Sequence, residues 1–489
     1  MVLHQVITVF LICYCCAVES ASIVALFSSL SFSDHLVFRN YVSLLTQRGH
    51  SIIMMTPYPG QFAYPDAEKI VELNVGQESS VYWEQYKALM TNTDDYYTRM
   101  RAINDFSIKL AVAQLKSKPM TALLANPNVK FDLVITEADV PLLYAVADKY
   151  QAPHIAITAS SGKIHQYESK GSPTHPLLYP DVNSLNYRNL SSWQKIVELN
   201  RHFQTRQEYY NTYLPLCEVA AKKIFGLRRS LQEVENDIDL LFVANNPALI
   251  GNRPSPSAVI YVDRMHIKPG FALPEDLKAV LDSATKGVVY FSLGAFQEPE
   301  HLLPSLLQTL ADTFRALPFL VLWKIGNTTM INDMPDNVIS NSWFPQQEIL
   351  GSHTQMLKHL SQRWCEVSRE AVFYEVPIIG LPIVRSRKVF IQEITRNNAG
   401  EVLDLYYLEK DELKEVISSV VTDDKTYKNA MLSLKRMVND PLLSGPDTAV
   451  RWTESVFLSL IYSILKTAVK RLRVRFSRKY DESGKFKAV

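Results

Sequence analysis

The chain has 489 residues, a formal net charge of +1 and 16 glycines, so glycine is about 3% of the sequence against a usual share of roughly 7%. That excludes collagen-like and Gly-rich linker architectures and argues against many glycine phosphate loops, because backbone that closely approaches a phosphate needs residues without a Cβ. Hydrophobic content of 47% with 21% charged residues excludes wholesale disorder, the charge balance gives no global drive toward nucleic acid, and the length suggests two or three domains.

In chain order, the apolar run from Val6 to Val18 followed by Glu19-Ser20 reads as a secretory signal over residues 1–20. It contains Cys13, Cys15 and Cys16, leaving only Cys217 and Cys365, too few for a disulfide scaffold. Ser22 to Phe27 is a continuous apolar run typical of a buried parallel strand. A helical pattern then runs through Tyr41, Val42, Leu44 and Leu45 to a stop at Gly49, and Ser51 to Thr56 is the next strand. This βαβ unit implies a parallel sheet covered by helices on both faces. Phe131 to Thr136, a helix near Leu142 to Lys149, and His154 to Thr158 repeat the pattern. Trp193 to about Leu231 reads as helix and Leu240 to Val243 as strand, completing an N-terminal domain over 21–250.

Pro254, Pro256 and Pro269 mark 251–286 as a linker. A second βα series over 287–450 begins with the strand Gly287 to Ser292. It continues through a helix from Leu302 to Ala316, strands at Phe319 to Trp323 and Ile378-Ile379, and a helix from Val389 to Asn397. The fold class expected is α/β, with two doubly wound domains and a cleft between them, and ligands in such sheets sit at the carboxyl ends of the strands. Trp452 to Val469 is apolar but contains Glu454 and Lys466 and falls short of the about 20 residues a span needs. It reads either as a short transmembrane helix or as an interfacial helix lying on membrane or protein. Residues 470–489 carry eight Lys/Arg, a flank that suits a cytoplasmic side, and Lys485 and Lys487 resemble a dilysine endoplasmic reticulum retrieval signal. The sequons at Asn189 and Asn327 are consistent with lumenal exposure.

No His-Glu-x-x-His, mature Cys-x-x-Cys or Walker loop is present, so no metal or bound cofactor is expected. Asp237-Ile238-Asp239 sits just before a strand and reads as an ordinary turn rather than a metal-binding pair. The strong signal is Trp343-Phe-Pro-Gln-Gln-Glu-Ile-Leu350, followed by His353, Glu370-Ala371, Val376-Pro377, Gly380 and Leu381-Pro382. This resembles the nucleotide-sugar signature of the UDP-glycosyltransferase family, especially its insect membrane-bound branch and the viral ecdysteroid-modifying relatives. Arg48-Gly49-His50, Phe131-Asp132-Leu133, Pro176 to Pro180, Phe291-Ser-Leu-Gly294 and Leu322-Trp323-Lys324 extend the likeness over nearly the whole chain. The resemblance implies the GT-B fold, two doubly wound Rossmann-like domains with an interdomain cleft. It also implies transfer of a hexose, glucose or glucuronate, from a UDP-sugar co-substrate to a small lipophilic acceptor, in an endoplasmic reticulum membrane protein with lumenal domains.

Residue by residue, Trp343 corresponds to the aromatic that stacks on uracil, Gln346 to the amide that reads the base edge, and Glu370 to the carboxylate that accepts from the ribose hydroxyls. A planar ring and a carboxylate suit those tasks. The diphosphate and sugar end departs from the family. Gln362-Arg363-Trp364 stands for His-Gly-Gly, with Gln362 still able to donate, and Val367 for Ser. Ala295 follows Ser292-Leu-Gly294 in place of Ser or Thr, and Ser386-Arg387 replaces the Asp-Gln that holds sugar hydroxyls. Part of the glycine deficit falls where the resemblance expects glycine, at Asp263, Arg264, Arg363, Trp364, Glu375 and Arg385. The base that activates the acceptor is a His sixteen places before His50; here that position is Asp34, with His35 one place late and Glu137, beside Asp139, as the orienting carboxylate. An unperturbed Asp, with a pKa of about 3.9 against about 6.5 for His, is the weaker base at neutral pH. Asp34 also reads as a helix cap. Two functions follow: a transferase using Asp34 or His35 as base, or a catalytically impaired protein of the same fold that binds small molecules.

Overall fold

The computed structural model describes residues 20–60, 67–91, 95–181, 184, 190–267, 272–292, 304–326, 328, 331, 333–352, 357–361, 364–381, 393–422, 425–439 and 444–457. The signal segment, both sequon asparagines, Gln362, Arg363, Ser386, Arg387 and the tail from 458 lie outside the described residues.

The first sheet contains β1 (Ser22–Leu26), β2 (Ser51–Thr56), β3 (Ile70–Asn74), β4 (Leu133–Glu137), β5 (His154–Thr158), β6 (Leu240–Val243) and β7 (Val259–Tyr261). Its order is β3-β2-β1-β4-β5-β6-β7, and every described pairing is parallel. The centre of the sheet is apolar on both faces: Ile23 to Leu26, Leu133 to Ile135 and Ile155 to Ile157 are all buried, because helices cover each side.

α1 (Phe32–Gln47) links β1 to β2, starting at the N-cap Ser31, whose side chain accepts from the Asp34 N–H, and ending before Gly49, whose φ is 97°. α2 (Tyr96–Leu115) is capped by Asp95. α3 (Ser192–Glu208) starts at a capping box between Ser191 and Gln194, and runs through a π-helical turn at Tyr209–Tyr213 into α4 (Leu214–Phe225), which stops at Gly226 in the left-handed region.

The second sheet contains β8 (Val288–Ser292), β9 (Leu320–Lys324), β10 (Val338–Asn341), β11 (Leu357–Ser361), β12 (Ile378–Gly380) and β13 (Gly400–Val402), in the order β10-β9-β8-β11-β12-β13. α5 (Pro304–Arg315), α6 (Gln346–Ser352) and α7 (Trp364–Phe373) are among its helices. In both sheets the strand order reverses beside the first strand, between β1 and β4 and between β8 and β11. Those two points open a crevice at the strand C-termini, where ligands bind in such folds.

One expectation needs correction, and another is narrowed. The stretch 251–286, read as linker from its prolines, contains β7, which pairs with β6 and adds a seventh strand to the first sheet; a three-residue strand is too short to show a period. The segment from Trp452, read as a transmembrane helix or as one lying on membrane or protein, begins as part of a helix over 445–457 that returns to lie on the N-terminal domain, while residues 458–469 are outside the described residues. Ala449 and Val450 join the core beneath α1, Thr453 Oγ1 lies 2.5 Å from the Tyr41 hydroxyl, and Arg48 grips Glu454 at 2.9 and 3.0 Å. Gly445 permits this return: a Cβ there would lie 1.8 Å from the Asp263 carbonyl oxygen. Among the described residues no helix is long and apolar enough to cross a membrane. Cys217 is buried and free, whereas the Cys365 side chain lies outside the described residues.

Candidate active site

Three of the residues singled out for catalysis meet at one serine. After β1 the chain turns through Ser28 and Ser29 before α1 begins. The Ser28 and Ser29 N–H groups each donate to Glu137 Oε2 at 2.9 Å. The Ser29 hydroxyl donates to Asp34 Oδ2 at 3.1 Å, and its carbonyl lies 2.7 Å from His35 Nε2. Gln114 of α2 fixes the same turn, its Nε2 donating to the Ser28 carbonyl and to Ser79 Oγ at 3.0 Å each.

The three residues have different fates. His35 is fully buried, with its ring edge against Phe27, Phe38 and Tyr58, and burial lowers its pKa to about 3. It is therefore a neutral core histidine and no base for an acceptor in the crevice, which removes it from the catalytic candidates. The physical reason is one residue of helix: His35 shares the inward stripe of Phe38 and Val42, at the i, i+3, i+7 spacing. Asp34 is rotated away from that stripe, is only partly buried, and stays at the mouth. The helix cap is Ser31, not Asp34. Glu137 is buried at the end of β4, and burial, with Asp139 and Asp34 adding repulsion, pushes its pKa up to about 8 despite the two N–H donors. Two carboxylates this coupled do not both ionise easily. At neutral pH Glu137 is mostly protonated. Asp139 ionises readily: burial opposes this, but Lys163 at 3.0 Å and Thr158 at 2.8 Å outweigh it.

Across the crevice, Trp343 stands on the loop between β10 and α6, 54% exposed. Phe32 of α1 meets it edge-to-face at 5.7 Å, and Lys324 Nζ lies 4.3 Å from its ring centroid. Glu370 of α7 is buried and held by amides: Gln346 Nε2 donates to Oε2, and Gln347 Nε2 donates to Oε1 at 3.0 Å. His266 Nε2 approaches the same carboxylate at 3.5 Å. Glu370 is thus a fixed acceptor, and a ribose diol can replace its two side-chain amide partners donor for donor. Ser292 ends β8 at the second reversal point. Sequence reasoning missed Ser29, Gln347 and His266. The small polar pair after a buried strand and the second Gln of the Gln-Gln doublet were the available signals; His266 carried none.

Two of the positions where the resemblance expects glycine keep a glycine-like backbone: Arg264 has φ 59° and Glu375 φ 60°. Glu375 is the left-handed residue closing α7, with Val376 N bonded to Ala371 O and Glu375 N to Val372 O, a Schellman motif.

The sequence pattern described as "UDP-glucoronosyl and UDP-glucosyl transferase" matches residues 23–459. The chain belongs to this UDP-glycosyltransferase family. It is 27% identical over 458 residues to the ecdysteroid UDP-glucosyltransferase of Spodoptera littoralis nuclear polyhedrosis virus, covering 89% of this chain and 87% of that one. It is 28% identical to UDP-glucosyltransferase 2 of Dactylopius coccus, covering 92% and 86%. Among solved structures, the spinosyn forosaminyltransferase SpnP aligns over 90% of this chain and 99% of its own at a TM-score of 0.59 and 15% identity. The calicheamicin glycosyltransferase CalG4 aligns over 90% and 99% at 0.56 and 18%. At such identities these structures speak for the fold alone, and the fold is the GT-B pair of Rossmann-like domains expected from the family.

Proposed function

We propose that the chain is a UDP-glucosyltransferase whose base is a carboxylate. Trp343, Gln346 and Glu370 hold the uridine of UDP-glucose, and a small lipophilic alcohol, of the ecdysteroid class named for its viral relatives, lies over the Ser28-Ser29 turn. Asp34 takes the acceptor's hydroxyl proton as that oxygen bonds to the anomeric carbon, whose bond to the UDP oxygen breaks with inversion. Neutral Glu137 anchors the turn and adds no second charge. The observation that carries the reading is the Ser29 hub, which keeps Asp34 at the mouth while holding Glu137 and His35 inward. The relatives' names give no support to the binding-protein alternative.

Gln362, Ser292, Ser386 and Arg387 complete the donor site on this reading, with Ser386 and Arg387 at the positions that hold the sugar hydroxyls in the family. The expected signal segment and the basic tail support a location at the endoplasmic reticulum membrane with the two domains in the lumen. The test is release of UDP from UDP-glucose on addition of an ecdysteroid, with Asp34→Ala as control. Release that needs both acceptor and Asp34 supports the reading; no release above an acceptor-free control across a broad alcohol panel refutes it.

A further inference from the structure

Helix α3 is built inside out. Its protein-facing side is ionic: Arg201, 2% exposed, donates to Glu198 Oε2 at 2.8 Å and to Asp181 Oδ2 at 2.9 Å, and its guanidinium lies 5.5 Å from the Tyr96 ring centroid. The solvent side is apolar: Trp193, Ile196, Leu199 and Phe203 are 71%, 55%, 43% and 54% exposed. Soluble domains bury the apolar stripe and expose the charges. Here the ion-paired network clamps the helix in the opposite orientation, so the apolar stripe is presented by design of the packing. Leu216 and Val219 of α4 are exposed as well, each 52%. An exposed contiguous patch of this kind marks an interaction site.

The charges around the stripe select the occupant. From 191 to 229 the exposed charged residues are Lys195, Arg206, Lys222, Lys223, Arg228 and Arg229, of which Arg206, Lys222 and Arg229 pair with Glu168, Glu218 and Asp237, and Glu198, Glu208 and Glu218 are buried or partly buried, so the segment keeps a positive excess. A second copy of the patch would bring these cations together, which costs association. An apolar face with Trp and Phe, bordered by Lys and Arg, fits the boundary of an anionic bilayer.

We propose that α3 and the start of α4 dock the N-terminal domain onto an anionic lipid surface, Trp193 and Phe203 inserting at headgroup depth. This is independent of the basic C-terminal tail and of catalysis. The test uses the full chain with vesicles of phosphatidylcholine alone or with about a third phosphatidylserine, some of it brominated. Trp193 emission is read as the difference between wild type and Trp193→Phe. The expected result is a blue-shifted, bromine-quenched Trp193 on anionic vesicles, with quenching reduced at least about tenfold in the triple variant Ile196→Ser, Leu199→Ser, Phe203→Ser. Lys195→Gln with Lys222→Gln and Lys223→Gln should weaken the signal on anionic vesicles only. A Trp193 that stays in water on both vesicle types overturns the proposal, whatever the tail does and even if the triple variant fails to fold. So does a concentration-dependent dimer that the triple variant abolishes and vesicles do not disperse.

Discussion

The two walls of the crevice have diverged in opposite ways. The C-terminal wall keeps the residue types that the proposed reading assigns to uridine, with Glu370 fixed by Gln346 and Gln347 and Trp343 standing open beside it. The N-terminal wall keeps the scaffold of the family's base but not the base: β1, the Ser28-Ser29 turn, α1 and Glu137 are in place, while Asp34 stands where histidine is expected. A binding subsite depends on groups fixed within one domain. A base depends on one side chain at one helical position, so a single substitution rewrites its chemistry without disturbing the fold.

The comparison predicts different consequences on the two walls. Asp34→Ala should cost the most, about a hundredfold to ten-thousandfold in turnover, with UDP affinity unchanged; a loss of UDP binding instead would place Asp34 on the donor side. Trp343→Ala should do the reverse, weakening UDP by about tenfold to a hundredfold by calorimetry while leaving the melting temperature near wild type, since stacking on a base is worth roughly 1–3 kcal/mol. Gly445→Ala should destabilise by about 1–3 kcal/mol or more, because its Cβ has only the Asp263 backbone to meet. Glu375→Gly should stabilise by about 1 kcal/mol through relief of the left-handed strain, less whatever its ion pair with Lys435 at 2.7 Å contributes. Both are read by denaturant unfolding.

The pH dependence separates the two inward groups. Glu137 holds its proton in the folded protein up to about 8, above its ordinary value near 4.5, so its contribution to stability is full below 4.5 and is lost as pH rises through 8. His35 has the opposite sign for acid: with a folded pKa of about 3 against 6.5, the unfolded chain binds the extra proton and stability falls as pH drops from 6.5 toward 3. Glu137→Gln should therefore gain stability relative to wild type between pH 6 and pH 9. A constant difference across that range would mean that Glu137 is ionised in the fold.

Much of the architecture was legible because buried parallel strands are apolar throughout: β1, β2, β4, β5, β6, β8, β9 and β12 stand within a residue or two of the runs that announced them. β3, with Glu72 and Asn74, β10, β11 and the short β7 and β13 were not, since edge or three-residue strands show no run or period and β11 is interrupted by Lys358 and His359. In the site, the family resemblance located Asp34, Glu137, Trp343 and Glu370, whose positions depend on local motifs. It could not show that His35 points into the core or that His266 closes on Glu370, because those follow from packing between distant segments.

The direct test of a carboxylate base facing an intact uridine pocket is the rate of acceptor-dependent UDP release from UDP-glucose in wild type, Asp34→Ala and Asp34→His. The account predicts release in wild type, near-complete loss in Asp34→Ala, and recovery in Asp34→His, whose ring restores the family's base beside Glu137. Equal rates in wild type and Asp34→Ala would contradict it.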